Sequence, residues 1–280
     1  MESSGETSIH PMAVVELGAA LGAGVSIGPF CHVGPQAVLG DRVTLVSHVS
    51  VMGDTTIGAG CTIFPHAALG APPQNTRHKG GPSTLVIGRN CTLREAVTMH
   101  LGTDTSRGVT TVGDNGNFLA NTHVGHDAAI GDNVTMANGA MIGGHCEIGD
   151  FVTVGGLAAV HQFVRVGHHA FIGGYSAVVG DVIPYGMAVG NRARLRGLNI
   201  IGLRRSGLPR ADIHALRKAY RLMFDRARPL SENIRRVLQE FPGSPAVSEL
   251  AGFLVDRGKR PYCVPSLRGG GATEDDDAAA

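Results

Sequence analysis

The chain has 280 residues, 41 of them Gly and only 5% aromatic, with no Trp. That is about twice the usual glycine share of roughly 7%, and it excludes a core built on large rings. With 43% apolar residues and a net charge of +1, intrinsic disorder is excluded. So are collagen, for want of a three-residue glycine period, and a transmembrane segment, since no apolar run nears about 20 residues.

The polar N-terminus, Met1 to Ser8, contains no signal-peptide core. From Ile9 an aliphatic residue returns at every sixth position through Val15, Leu21, Ile27, Val33, Leu39, Leu45, Val51, Ile57 and Ile63 to Leu69. The register resumes at Ile87 and, shifted by one residue, runs from Val112 to Val178. The next position is most often Gly (Gly28, Gly34, Gly58, Gly131, Gly149, Gly167), and the fifth is small (Ala13, Ala19, Ala37, Ala128, Ala158, Ala170). A period of six is neither 2 nor 3.6. It fits one short strand plus one turn, with the aliphatic residue inward and glycine taking backbone angles that a side chain resists. Three hexads make a triangular coil of 18 residues. Stacked coils pair strand on strand about 4.8 Å apart, so the fold is read as mainly β, a parallel β-helix. Cys31, Cys61, Cys91 and Cys146 take the fifth slot and read as small buried apolar residues. Five Cys without paired spacing suit a reduced, cytoplasmic chain better than a disulfide framework.

Two stretches interrupt the hexads, near 70–86 and 102–111. Insertions in a solenoid become loops on one face, often the binding face, and Gln74, Asn75, Arg77, His78 and Lys79 bring hydrogen-bonding groups to the first. Beyond Pro184-Tyr185-Gly186 the pattern fades. A basic segment follows, with Arg192, Arg194, Arg196, Arg204 and Arg205. It is short and lacks an aromatic stacking platform, so no nucleic acid is expected; phosphates of a nucleotide sugar or an acidic carrier protein fit better. From Pro209, Ile213, Leu216, Tyr220, Met223 and Phe224 share one helical face, and 231–241 and 245–255 read as two more helices. The expected organisation is a β-helix over 1–190, a C-terminal α-helical domain over 191–267 and a disordered tail over 268–280.

Residues 18 apart stack. His126 therefore lies beneath Gly144, beside His145, and Gly144 lies beneath Gln162, beside His161. His126, His145 and His161 are expected along one edge, with His123 close by; His48 and His66 stack on earlier coils. Asp127 can hold the His126 imidazole in one tautomer for general-base work, and a backbone N–H at Gly143 or Gly144 can stabilise an oxyanion. No Ser or Cys nucleophile stands out, so direct attack by a substrate hydroxyl is the economical chemistry. Two other classes stay open on these residues. One is a zinc hydratase of the γ-carbonic-anhydrase kind with three His ligands, although that family spaces its ligands H-x4-H and here the pair is His123-x2-His126. The other is a non-catalytic scaffold or carrier-binding solenoid.

These residues resemble one family, the UDP-N-acetylglucosamine O-acyltransferases among the hexapeptide-repeat transferases. The resemblance rests on IGPFCHVGP (27–35), RNCTLREAVTMHLGT (89–103), THVGHD (122–127), GGHCEIGDFVTVGGLAAVHQF (143–163), GNRA (190–193) and GLNIIGLRRSG (197–207), and it spans roughly 9–260. It implies a left-handed β-helix that forms a homotrimer with sites between subunits, and no cofactor or metal. It also implies transfer of an (R)-3-hydroxyacyl chain from acyl carrier protein to the sugar 3-hydroxyl, the first step of lipid A biosynthesis. His126 matches the general base, Asp127 its orienting partner and Gly144 the oxyanion donor. Gln74, Asn75, Arg77, His123, His145, His161 and Gln162 match substrate contacts, Asn199 and Arg205 nucleotide contacts, and Gly174 the position that sets acyl length. The chain departs from the family pattern at Asn75, where a carboxylate is usual, and at Arg77, Ile201 and Ser206. These departures bear on sugar selectivity and leave a 3-amino sugar nucleotide open as acceptor.

Overall fold

The computed structural model describes residues 5–266. Almost every hexad folds as a strand of two residues and a turn, and the strands assemble into three sheets of 11, 9 and 8 members, parallel throughout except at the last strand of the first. Consecutive coils pair at an interval of 18 residues, as in Ile9 with Ile27. The interval lengthens to 30 across the first insertion, where Ile63 pairs with Leu93, and to 25 across the second, where Leu93 pairs with Phe118. The architecture is the expected left-handed parallel β-helix. The aliphatic first-position residues and the small fifth-position residues form one continuous core along the prism axis, with Phe118 its largest fully buried side chain.

Glycine serves a different purpose from the expected one. The left-handed backbone angle falls on the fourth residue of the hexad, which is seldom Gly: Phe30, Arg42, His48, His66, Asp127, His145 and Tyr175 all have φ between 52 and 67°. The glycine after the aliphatic residue is needed for space. A Cβ on Gly28 would collide with the Val46 carbonyl of the next coil. Coil spacing is set by backbone hydrogen bonds, so the chain has no room to yield there.

All five thiols are free and buried. Burial pushes Cys146 up to about 12, which makes it an inert packing group. Cys263, outside the hexads, is buried as well.

The insertions are narrower than the sequence suggests, because Ala68–Ala71, Thr84–Ile87 and Val109–Val112 are strands. The two loops meet each other. Asp104 accepts backbone hydrogen bonds from Lys79 and Gly81 and pairs with His78 Nδ1 at 3.1 Å.

Beyond Gly190 the chain first makes another strand, Arg194–Leu198, antiparallel to Gly186–Val189. Four helices follow: α1 Ile200–Arg205, α2 Arg210–Met223, α3 Leu230–Glu240 and α4 Pro245–Val255. The short α1 is absent from the sequence-based expectation. Ile213, Leu216 and Met223 are buried as expected, with Tyr220 and Phe224 packed against them. The helices are tied to the prism through Arg165, which binds the fully buried Asp181 at 2.8 Å and the Phe253 and Asp256 carbonyls. The expected tail over 268–280 lies outside the described residues.

Candidate active site

The edge between the second and third sheets brings four of the expected residues together. His126 and Asp127 form the turn between strands His123–Val124 and Ala129–Ile130. Asp127 takes the left-handed position at φ 59°, and its Oδ2 lies 2.9 Å from His126 Nδ1. The carboxylate is 1% exposed and is held from the second insertion: Thr103 donates its backbone N–H at 3.0 Å and its hydroxyl at 2.7 Å. Asp127 N–H in turn donates to Thr110 Oγ1 at 2.8 Å. Burial pushes Asp127 up, but the Thr103 N–H, the His126 and Thr103 side-chain hydrogen bonds and nearby His145 outweigh it and hold the carboxyl below its ordinary range. An ionised Asp127 accepts from Nδ1, which leaves Nε2 of His126 as the free base.

Gly144 sits over this imidazole. A Cβ there would lie 2.7 Å from His126 Cε1 and 2.9 Å from Nε2, and among the described residues the Gly144 N–H has no acceptor. On another edge the same position is occupied differently: Asp132 and Asp150 accept the backbone N–H of the coil before them. The His126 edge leaves such a donor free beside an imidazole, an arrangement suited to acyl transfer. Gly144→Ala is therefore expected to displace the ring and lower kcat about a hundredfold, with circular dichroism unchanged. Wild-type turnover would show that the ring has room to move.

His145 donates its backbone N–H to the His126 carbonyl at 3.0 Å and meets the His126 ring edge-on at 4.9 Å. Its Nδ1 is 3.1 Å from Ser106 Oγ, and its other face stacks on Phe163 at 4.4 Å. Burial pushes His145 down, opposed by Asp127 and assisted by His126 and Lys259. His123 lies in the preceding strand, its Nδ1 2.8 Å from Thr98 Oγ1, its ring edge-on to His100 at 5.2 Å. Burial, then His100 and His126, push it down to about 4. It is neutral at pH 7, and a Thr98 hydroxyl donating to Nδ1 leaves Nε2–H to face a ligand.

The other expected residues lie further off. His161 and Gln162 are exposed on the coil beyond His145, with His161 Nδ1 3.1 Å from the Gln162 carbonyl. Gln74, Asn75 and Arg77 lie in the first insertion. Asn75 closes a local turn, its Oδ1 accepting from Arg77 N–H at 2.9 Å. Asn199 caps α1 by accepting from Gly202 N–H at 2.9 Å and donates to the His169 carbonyl; Arg205 is exposed in the last turn of α1. Gly174 lies on a different edge, between the first and second sheets, with Gly156 O 3.3 Å from where its Cβ would stand. Thr103, Ser106 and Thr110 were missed. Their one sequence signal was the break in the hexads.

The set of His, Cys, Asp and Glu groups that could hold a metal, among the described residues, is His126, Asp127 and His145. Both Asp127 oxygens already accept from Thr103, and His123, needed for a three-His centre, turns to Thr98 and His100. These donors fit a hydrogen-bonded base better than a zinc centre.

Stacked hexapeptide coils with a carboxylate-locked imidazole beside a free backbone N–H define a hexapeptide-repeat acyltransferase. Residues 181–263 match the family described as Udp N-acetylglucosamine O-acyltransferase, Domain 2. The acyl-[acyl-carrier-protein]–UDP-N-acetylglucosamine O-acyltransferase of Mesorhizobium japonicum is 71% identical over 97% of this chain and 98% of its own. That of Brucella ovis is 58% identical over 97% and 99%. Among solved structures, the UDP-N-acetylglucosamine acyltransferase of Francisella novicida superposes with a TM-score of 0.88 at 31% identity, over 97% of this chain and 98% of its own. That of Campylobacter jejuni gives 0.86 at 39%, over 92% and 100%. The chain belongs to the UDP-N-acetylglucosamine O-acyltransferase family.

Proposed function

We propose that the chain transfers an (R)-3-hydroxyacyl group from acyl carrier protein to the 3-hydroxyl of UDP-N-acetylglucosamine, the first step of lipid A biosynthesis, by direct attack. The observation that carries this is the His126 ring, held by buried Asp127 on Nδ1 and set beside the unpaired Gly144 N–H. Nε2 takes the proton of the sugar hydroxyl as its oxygen adds to the thioester carbonyl. The Gly144 N–H receives the developing oxyanion. Collapse breaks the carbon–sulfur bond, and the departing thiolate takes the proton back from His126. No covalent enzyme intermediate is needed. His123, His145 and Gln162 present groups to the sugar, and Asn199 and Arg205 serve the nucleotide. We assign the chemistry to the coils of 1–190 and nucleotide and carrier recognition to the segments after them.

The working form is a homotrimer in this reading. Gly174 and His126 lie on opposite flanks of the second sheet, so an acyl chain that passes Gly174 while reacting at His126 uses edges of two copies. The location is cytoplasmic. The five free thiols suit a reducing compartment, and no helix among the described residues is long and apolar enough to cross a membrane.

A second reading of the acceptor, a 3-amino sugar nucleotide, is favoured by Asn75, which supplies no carboxylate and spends its Oδ1 on Arg77 N–H. One experiment addresses both acceptor and chain length. The protein is incubated with a ladder of 3-hydroxyacyl carrier proteins and both sugar nucleotides, and the products are identified by mass. An ester product supports the first reading, an amide the second, and the absence of either removes acyl transfer. In the same assay Gly174→Met is expected to shift the preference to shorter donors, with discrimination of about tenfold or more for each methylene that no longer fits. An unchanged ladder would remove Gly174 from the acyl path.

A further inference from the structure

The segment that follows α4 returns to the catalytic edge and sets two cations there. It is pinned on both sides. Upstream, Arg165 binds the Phe253 and Asp256 carbonyls. Downstream, Asp181 N–H donates to the Pro261 carbonyl and Cys263 N–H to the Asp181 carbonyl. Between these, Gly258 packs so closely on the Arg165–Asp181 pair that a Cβ would lie 2.5 Å from both side chains.

The next two residues are thereby delivered to Phe163, the ring on which His145 stacks. Lys259 Nζ stands 4.6 Å from the Phe163 centroid. Arg260 lies 6.0 Å from it and donates Nε–H to the Gln162 carbonyl at 3.0 Å. The successive spacings of 4.9, 4.4 and 4.6 Å place the Lys259 ammonium within about 14 Å of the His126 ring. Among the described residues no carboxylate pairs with Lys259 or Arg260, although nearby Arg165 pairs with both Asp181 and Asp256.

We propose that Lys259 and Arg260 form a binding site for a phosphate ester of the bound substrates, at the C-terminal lip of the catalytic edge. This rests on the acyl-transfer reading of that edge. Both substrates in that reading carry such a group: the diphosphate of the sugar nucleotide and the phosphodiester that links the acyl-bearing arm to its carrier protein. Two adjacent cations held by a pinned backbone meet a phosphate with little ordering cost, and charge-assisted hydrogen bonds to phosphate are among the strong ones. The face of the Phe163 ring, 4.6 Å from Lys259 Nζ, helps to hold the ammonium at this edge.

The test is steady-state kinetics of Lys259→Glu, with Lys259→Arg as the conservative variant. The KM of one substrate is expected to rise about tenfold or more with kcat within twofold, and Lys259→Arg is expected to recover most of the loss. Two arms separate the sources. If the nucleotide diphosphate is bound, the KM for UDP-N-acetylglucosamine moves. If the carrier's phosphodiester is bound, the donor KM moves, and the wild-type advantage disappears with a 3-hydroxyacyl pantetheine lacking phosphate. Unchanged KM values for both substrates overturn the proposal, as does a loss of Tm with both KM values intact, which would make the pair purely structural. Wild-type protein that makes no acylated product would instead remove the acyl-transfer reading itself.

Discussion

His126→Ala is expected to lower kcat by about 10²–10⁴-fold, the usual contribution of a positioned general base, with the fold intact. The fold survives because the third hexad position points outward, and the imidazole is tied to its surroundings by Asp127 Oδ2 and by ring contact with His145. The Val124 and Ile130 side chains that fill the core at this coil are untouched. The loss falls on kcat because without Nε2 the sugar hydroxyl must attack with its proton still attached. The residual rate reports what Gly144 and the binding residues supply alone. Product formation by mass, with Tm measured alongside, checks this. Turnover within tenfold of wild type, at unchanged Tm, would remove His126 from the proton transfer.

Asp127→Asn is expected to cost a comparable amount in rate and, unlike His126→Ala, stability as well. In the wild type both carboxylate oxygens accept, from Thr103 N–H, the Thr103 hydroxyl and His126 Nδ1. A carboxamide offers one acceptor oxygen and an NH2 group. One of those donors must face another, or Nδ1 must become the acceptor, which moves the proton to Nε2 and leaves no base toward the substrate. The same substitution in a Ser-His-Asp triad costs about 10⁴ in kcat. Leaving a buried donor without an acceptor costs about 1–3 kcal/mol.

The pH dependence has a definite sign. The folded pKa of Asp127 is depressed, so its contribution to stability is present above the unfolded value of about 3.9 and is lost as pH falls through the lower folded value. The Tm gap between wild type and Asp127→Asn is therefore expected to be constant from about pH 6 upward and to close in acid. Thermal melts at a series of pH values read this directly. A gap that widens in acid contradicts it.

How much of the site was legible depends on how its parts repeat. His126, Asp127, His145 and Gly144 were placed correctly from residue numbers alone, because an interval of 18 residues becomes a stacking contact once backbone pairing is regular. The His48–His66 stack followed from the same arithmetic and is seen at 5.0 Å. Thr103 was beyond its reach. It lies in the stretch where the interval changes to 25, and no period says which residue of an insertion returns to the edge. Asn199 kept its position in the GLN motif but proved to be the cap of a helix that its short, Gly-containing sequence had not signalled.

Glycine gives the clearest division between the two sources of information. Its abundance and its period, read from the chain alone, determined a coil of three hexads and a core of small aliphatic residues, because parallel pairing forces each coil to repeat the one below. What glycine does in the hexad was decided by the tertiary structure. The turn angle it was expected to provide is carried mostly by residues such as Phe, Arg, His and Asp, and its missing side chain makes room for the neighbouring coil or, at Gly144, for the His126 ring. The candidate site divides in the same way. The hexads alone brought the imidazole and the carboxylate to one corner. The Thr103 donors that keep Asp127 ionised, and the Lys259–Arg260 pair beside Phe163, come from an insertion and from a segment some hundred residues onward. Chain that follows no repeat is placed by packing and by the need to satisfy buried polar groups, and neither can be read from spacing.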